Sequence, residues 1–492
     1  MRVLLIGDGA RENAYAQSLS RSDHEPKIYA IMKSNNPGIA KICEKSGGKV
    51  ALGSPTDSTF VAEKAEELSI EVAFVGPEEP QFQGVPDALE EAGIACLGAR
   101  REMAEIERSK VFMRRLMLKY QIPGRLTFKS FRSRSEAFAY LRNHEGSVVI
   151  KPTRQVGGKG VKVIGDYQEY LAAEKLRVKL SHTAQIFDRY MKDYADIDDK
   201  VLFEEKAFGP EYTVQTITDG RTTLAMPAVQ DNKPAYEMDT GPMTGGMGSI
   251  SGSNFALPFL TDDEYRGSLQ IVENVIQAME KEKGQRYKGV ISGQMMLTQA
   301  WGPTVIEFYS RLGDPEAANV LSTLKTDLID VAEAVSSEKL HKVRLEFEEK
   351  ATVVKCVAPK GYPDSRDLAR GHPVRIDESR VAGTGCSILY GSVDLRAGGE
   401  MITGGSRICE ILGKAETIPE ASKMAEKAIS AVTLLDGWGV YHRPDIGSEK
   451  LLQSRMEQAE LVRRLRQYRK DKSLVGKNIE WNPRKGVVEE RS

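Results

Sequence analysis

The stretch VIEFYSRLGDPE, residues 305–316, carries the first sign of chemistry in this sequence. Glu307 closes a short apolar run, and Arg311, Asp314 and Glu316 crowd in behind it. A carboxylate drawn out of water needs a cation or hydrogen bonds to answer it. A charged turn that neutralises itself would do so, and so would an external cation. Three further stretches offer chemistry. In VVIKPTRQVGGKGVKVI (148–164) the turn Gly157, Gly158, Lys159 and Gly160 sits between β-branched runs. Glycines let backbone N–H groups approach phosphate oxygens, and Lys159 and Lys151 add positive charge. This is not a P-loop, because Val161 stands where a hydroxyl and a helix are required. In FEEKAFGPEYTV (203–214), Glu204 and Glu205 end a strand and Glu211 follows a Gly-Pro turn. Backbone there can pair with a base edge and a carboxylate can hold sugar hydroxyls, although edge-strand charges explain the pattern equally. DTGPMTGGMGS (239–249) is rich in glycine, a costly composition that suits a backbone wrapped round an anion.

The elements that must position these residues show in the apolar pattern. VLLI precedes Gly7-Asp8-Gly9, KIYAIM follows a helix-length segment, EVAFVG precedes Pro77, and IACLG closes the series. Short apolar runs alternating with helical segments predict a parallel α/β sheet. Ligands of such sheets gather at the carboxyl ends of strands, here Gly7–Arg11 and Gly76–Pro80. Residues 104–123 read as one helix ended by YQIPG. Strands dominate 200–330, broken by a helix that Thr261 and Glu264 open as a capping box, with Val272, Val275, Ile276 and Met279 on its apolar face. Residues 345–440 predict a small separate β-rich domain with a late helix over PEASKMAEKAISAVTLL. The tail from about 445, with RRLRQYRK, predicts a solvated helix and a frayed end.

Composition narrows the class. The 492 residues, 40% hydrophobic and 28% charged, suit a soluble chain of several domains. A net charge of −1 gives no bulk attraction to nucleic acid, which is not an expected partner, and no run approaches a membrane span. The apolar run at the N-terminus stops at Gly7, too short for a signal-peptide core. Five scattered cysteines without a C-x-x-C indicate neither a zinc site nor a disulfide framework. A cytoplasmic enzyme is the expectation. A dinucleotide-dependent oxidoreductase is disfavoured, since Glu12 stands where G-x-G-x-x-G needs glycine.

The order of motifs is more specific than any one of them. It runs G-x-G-x-R-E, G-P-E-x-P, S-K before a helix, K-P…G-G-K-G-V, E-E…G-x-E, D-T-G-P-x-T-G-G-M-G and E-F-x-x-R-x-G-D-P-E. Over residues 1–445 this resembles the phosphoribosylamine–glycine ligases (glycinamide ribonucleotide synthetases) of the ATP-grasp superfamily. The resemblance implies an α/β and α+β multidomain protein with an ATP-grasp fold. A Rossmann-like substrate domain would span 1–103, the ATP-grasp domain 104–330 with a mobile lobe over about 125–195, a β-rich domain 331–445 and a basic helical tail 446–492.

It also implies roles. Lys110 and Lys151 would reach the phosphates of ATP, the Gly157–Gly160 turn would close over them, Glu204, Glu205, Lys206, Ala207 and Phe208 would line the adenine, and Glu211 would take the ribose. Glu307 would bind Mg2+ or Mn2+, with Gln294 a further ligand, which answers the opening question. Arg311 would hold the glycine carboxylate and Asp239 or Asp314 an ammonium group. Gly7, Gly9 and Arg11, with Gly241, Thr244, Gly245, Gly246, Met247 and Gly248, would take the phosphoribosyl group. The substrates would be glycine and phosphoribosylamine, and the protein a monomer or homodimer. Several positions depart from the family pattern: Asn13, Asn232, Pro234, Met238, Met243 and Tyr309. A neutral tyrosine is a poor magnesium ligand where the pattern has asparagine. A changed amine or carboxylate substrate, or a non-catalytic ATP-binding relative, are the alternatives these departures leave open.

Overall fold

The apolar runs of the first hundred residues form strands β1 (Arg2–Ile6), β2 (Lys27–Met32), β3 (Val50–Leu52), β4 (Val72–Val75) and β5 (Ala95–Leu97). They pair in parallel in the order β3-β2-β1-β4-β5. Their near-continuous hydrophobicity follows from burial on both faces. Val3 and Leu5 enter one core with Ile28, Ala30 and Phe74, while Leu4 and Ile6 enter another with Ile31, Ala73 and Val75. The strand order reverses between β1 and β4, the point where open α/β sheets bind ligands. Gly7 and Gly76 follow those two strands. Gly7 has φ +116°, and a Cβ there would lie 2.6 Å from Glu12 and 2.8 Å from Pro77, so glycine is required before helix α1 (Ala10–Leu19).

The computed structural model describes residues 1–143, 148–153, 162–164, 201–477, 479–482 and 487–490. The chain divides into two units. The first comprises Met1–Ala104, Glu211–Gln294 and Phe308–Met456, and the second Glu105–Pro210, Met295–Glu307 and Glu457–Ser492.

Besides the parallel sheet, the first unit holds an antiparallel one in which Glu211–Thr218, Val229–Asp231, Gly248–Ser251, Ala351–Pro359, Cys409–Ala415 and Ser387–Tyr390 follow one another. Strands of the β-rich C-terminal segment join this sheet. Its first strand pairs with Gly248–Ser251, from Gly248↔Lys355 to Ser251↔Thr352. The capping box at Thr261 forms, with Thr261 Oγ1 accepting from Glu264 N, and the helix runs Asp262–Lys283. The late helix is shorter than expected. It spans Ile418–Ile429, and Val432–Leu434 leaves it to pair with Arg370–Ile376, where β-branched residues pack better.

In the second unit, Phe128–Phe131, Val201–Glu205, Val148–Pro152 and Lys162–Ile164 form an antiparallel sheet in that order. The helix expected over 104–123 is two, Glu105–Arg108 and Lys110–Lys119. Extended Ser109 separates them and caps the second, its hydroxyl accepting from Phe112 N at 3.2 Å. The tail is less solvated than expected. Helix Glu449–Asp471 buries Leu451, Leu452, Ala459 and Val462, and the end pairs Ile479–Asn482 with Val487–Glu490.

Candidate active site

Of the residues expected to contact ATP, Lys110, Lys151, Glu204 and Glu205 lie in the second unit. Lys110 opens its helix and Lys151 lies near the end of its strand, and both are buried. Lys151 Nζ meets Glu204 Oε2 at 2.6 Å, and Arg114 Nε donates to Glu204 Oε1 at 2.5 Å. Arg114 is itself fully buried and donates to Val305 O and Ile306 O, each at 2.9 Å. Burial works against the charge of Glu204, but Arg114 and then Lys151 outweigh it and hold the carboxyl at about 2. Glu204 is thus an ionic hub for these two cations. Lys110 is different. Burial first, and Lys151 beside it, lower its pKa, and Glu307 at 3.9 Å only partly compensates. Two buried ammonium groups facing two carboxylates suit the phosphates of a nucleotide, whose charge would offset the lowering at Lys110.

Glu205 accepts from Thr127 N at 2.8 Å. Beyond it Lys206 and Phe208 are exposed and Ala207 is half-buried. Gly209, at φ +151°, brings the chain so close to Leu297 O that a Cβ would sit 1.7 Å away. Gly157, Gly158, Lys159 and Gly160 lie outside the described residues, as does most of the 125–195 lobe.

The first unit carries two polar constellations near the switch point and the antiparallel sheet. In one, Arg11 Nε donates to Glu12 Oε1 at 2.7 Å, and Glu78 Oε2 lies 3.7 Å from Arg11 and 3.4 Å from Arg311. Burial opposes the charge of Glu78, yet Arg311 and Arg11 together hold its carboxyl below the ordinary range. Arg311 lies over the ring of Tyr309, 4.2 Å from its centroid. The tyrosine that replaces asparagine in the family pattern is therefore a platform for Arg311.

In the other, Gln294 is surrounded by acids. Its amide nitrogen donates to Glu211 Oε2 and Asp231 Oδ1, each at 3.1 Å, and its oxygen accepts from Thr213 Oγ1 at 2.7 Å. Lys233 stands 3.6 Å from Glu211 and 3.7 Å from Asp231. Burial, then Asp231, push the carboxyl of Glu316 up to about 7. Gln294 spends its amide orienting carboxylates, and Glu211 faces Gln294 and Lys233. Carboxylate oxygens are the ligands that Mg2+ and Mn2+ prefer. Glu307 supplies them in the second unit, and Glu211, Asp231 and Glu316 in the first.

Asp239 pairs with two arginines. Its Oδ1 accepts from buried Arg443 at 2.9 Å, and its Oδ2 pairs with Arg455. This pairing fixes a tight turn in which Met238 and Asp239 both have positive φ, +54° and +58°, with Met238 N bound to Asp445. The glycine-rich loop also spends its amides. Gly245 N donates to the Tyr362 hydroxyl at 2.9 Å, Gly246 N to Thr244 Oγ1 at 3.0 Å and Met247 N to Asn232 O at 2.7 Å. Its carbonyls at Gly245 and Gly246 accept from Arg407, whose guanidinium also pairs with Asp314 at 2.8 Å. The loop thus helps to position Arg407. Gly241 lies in the exposed hairpin before it, at φ +84°, and Gly248 opens the strand after it.

The other departures serve packing. Asn13 Oδ1 accepts from Tyr390 N at 2.8 Å, Asn232 N donates to Gly248 O at 2.9 Å, Pro234 O accepts from Arg443 at 3.3 Å, and Met243 is exposed on the hairpin.

The same architecture occurs among solved structures. A phosphoribosylamine–glycine ligase from Thermotoga maritima aligns at TM-score 0.71 with 22% identity, over 91% of this chain and all of that one. The biotin carboxylase domain of Hydrogenobacter thermophilus 2-oxoglutarate carboxylase, in complex with MgADP, aligns at 0.63 with 16% identity over 97% and 99%. The fold is that of the ATP-grasp proteins. Family models for phosphoribosylglycinamide synthetase match most of the chain: the N domain over residues 1–107, the ATP-grasp domain over 108–317 and the C domain over 352–449. Curated phosphoribosylamine–glycine ligases of Methanocaldococcus jannaschii and Thermococcus gammatolerans are each 41% identical, over 94% and 93% of this chain and 100% and 97% of their own. The chain belongs to the phosphoribosylglycinamide synthetase (phosphoribosylamine–glycine ligase) family.

Proposed function

We infer that this chain joins glycine to 5-phosphoribosylamine at the expense of ATP, as a carbon–nitrogen ligase of purine biosynthesis. The single observation that carries the reading is its identity of about 40% with curated phosphoribosylamine–glycine ligases over 94% of its length. In this reaction a glycine carboxylate oxygen attacks the γ-phosphorus of ATP, releasing ADP and forming glycyl phosphate. The amine of phosphoribosylamine then attacks the acyl carbon, loses a proton and expels phosphate, giving glycinamide ribonucleotide. The chain's task is to position the reactants and neutralise developing charge. Lys110 and Lys151 would hold the phosphates, and Arg311, steadied by Tyr309 and Glu78, the glycine carboxylate. A divalent cation, Mg2+ or Mn2+, on Glu307 would offset phosphate charge. The protein is proposed to act in the cytoplasm as a monomer or homodimer; among the described residues no helix is long and apolar enough to cross a membrane.

The test is ADP release by the purified protein with ATP, magnesium and freshly generated phosphoribosylamine, with and without glycine. Turnover that needs both co-substrates and yields glycinamide ribonucleotide is expected; tight ATP binding with no such product would overturn the reading. Tyr309→Leu is expected to raise KM for glycine by roughly twofold to thirtyfold, the worth of a cation–π contact of about 0.5–2 kcal/mol, with KM for ATP little changed. Steady-state kinetics with each substrate varied in turn would check it. A shift in metal requirement instead would return Tyr309 to the metal site.

A further inference from the structure

In the C-terminal part of the first unit a histidine has both ring nitrogens against acceptors. His372 lies on the strand Arg370–Ile376, its side chain 15% exposed. Its Nε2 is 2.7 Å from Leu368 O and its Nδ1 is 2.7 Å from Asp436 Oδ2. The ring lies flat against the indole of Trp438, with centroids 5.1 Å apart and planes 8° from parallel. A neutral imidazole donates through one nitrogen and turns a lone pair outwards at the other. Whichever tautomer it took, one of these acceptors would meet a lone pair. The imidazolium donates to both and adds a cation to the indole face.

Asp436 is the charged group that faces the ring. The strands on either side, Met401–Gly404 and Val432–Leu434, carry no charged side chain, and Thr403 holds the backbone of His372 in place at 3.1 Å. Lys360, Asp364 and Asp367 are exposed, as are Arg370 and Arg375 on its own strand, and Arg366 lies over the ring of Tyr362. Burial works against the charge of His372, but the Leu368 carbonyl and then Asp436 outweigh it and raise the imidazole above its ordinary 6.5.

The two acceptors belong to segments that close on each other. Trp438 N donates to Asp436 Oδ1 and the indole N–H to Lys360 O, each at 3.0 Å, and Lys360 N donates to Gly439 O at 2.9 Å. Between Lys360 and Leu368 stands Tyr362. Its hydroxyl accepts from Gly245 N at 2.9 Å and its carbonyl from the Tyr441 hydroxyl at 2.8 Å. A chain of contacts thus runs from His372 to the glycine-rich loop.

We propose that His372 is a pH-operated latch: as an imidazolium it ties the segment 360–368 to the turn 436–438, and on losing its proton it loosens that segment and, with it, the seat of the Gly245 amide on Tyr362. The latch works whatever substrates the chain joins. Because the folded protein raises the imidazole, the latch is fully set below pH 6.5 and is released as the pH climbs through the higher folded value.

The test is hydrogen exchange of the full chain between about pH 5.5 and 8.5, with rates corrected for the intrinsic effect of pH on amides and the helix Asp262–Lys283 as internal reference. In the wild type, protection of 360–369 and of the stretch around Gly245 is expected to fall about threefold or more across that range, the worth of one hydrogen bond. His372→Gln, which does not titrate, should show no step. Asp436→Asn, which removes the facing charge, should move the step to lower pH, and it carries the test if His372→Gln does not fold. The Cε1–H resonance of His372, one of six histidines, should titrate above 6.5 in the wild type and lower in Asp436→Asn. A His372 midpoint at or below 6.5, protection of 360–369 that does not change with pH in the wild type, or a step that stays unmoved in both variants would each overturn the proposal.

Discussion

Glu204→Ala is expected to destabilise the second unit by about 3–5 kcal/mol, the cost of leaving buried charges without their partner. Arg114 is fully buried and Lys151 nearly so, and Glu204 is the carboxylate that both contact. Hydrogen exchange of amides in 110–119 and 201–205 under mild urea would report on this unit directly, where a single melting curve for a chain of two units would not. The same residue sets a pH dependence. Its carboxyl sits at about 2 in the folded protein against an ordinary 4.5, so the stability it contributes is fully present above about pH 4.5. That contribution, on the order of 3 kcal/mol, is lost as the pH falls from there towards 2. Glu204→Ala should lack this part of the acid slope. Equal protection in mutant and wild type at neutral pH would show that Arg114 finds other partners.

Lys151→Met is expected to lower ADP formation by at least about a hundredfold, the usual effect of removing one preorganised group that stabilises charge in the transition state. Methionine keeps most of the buried volume, and Arg114 still answers Glu204. The loss should therefore fall on turnover rather than on folding, and intact exchange protection of 201–205 would separate the two. A variant that folds and retains full turnover would remove Lys151 from the phosphate site.

Much of this was legible before the structure because it depends on local order. Gly7 after VLLI, the Thr261 capping box and Glu307 behind an apolar strand each carry their reason within a few neighbouring residues. Arg114 does not. In VFMRRLMLK it reads as one face of an ordinary helix, and only Glu204, 90 residues on, makes it a buried cation. Arg407 is silent for the same reason. It sits in an unremarkable SRICE, and its meaning comes from Asp314 and the glycine-rich loop. Asp239 and the 244–247 loop show the same limit, since the motif does not announce their hydrogen bonds to Arg443, Tyr362 and Arg407. The break at Ser109 and the strand Val432–Leu434 were missed because helical periodicity ran through positions where a cap and a pairing partner decide otherwise.

The division of each unit into three stretches of chain has a consequence for biosynthesis. Asn13 on α1 binds the backbone of Tyr390, 377 residues further along. At about 5–20 residues per second, a ribosome takes roughly 20–75 s to deliver that partner after Asn13 has emerged. For that time the nascent parallel sheet stands without the strand that closes over α1, exposing apolar surface that the finished protein hides. Slower growth temperatures or co-produced chaperones should therefore raise soluble yield more than any surface substitution. A fragment cut from one continuous stretch cannot reproduce either unit whole.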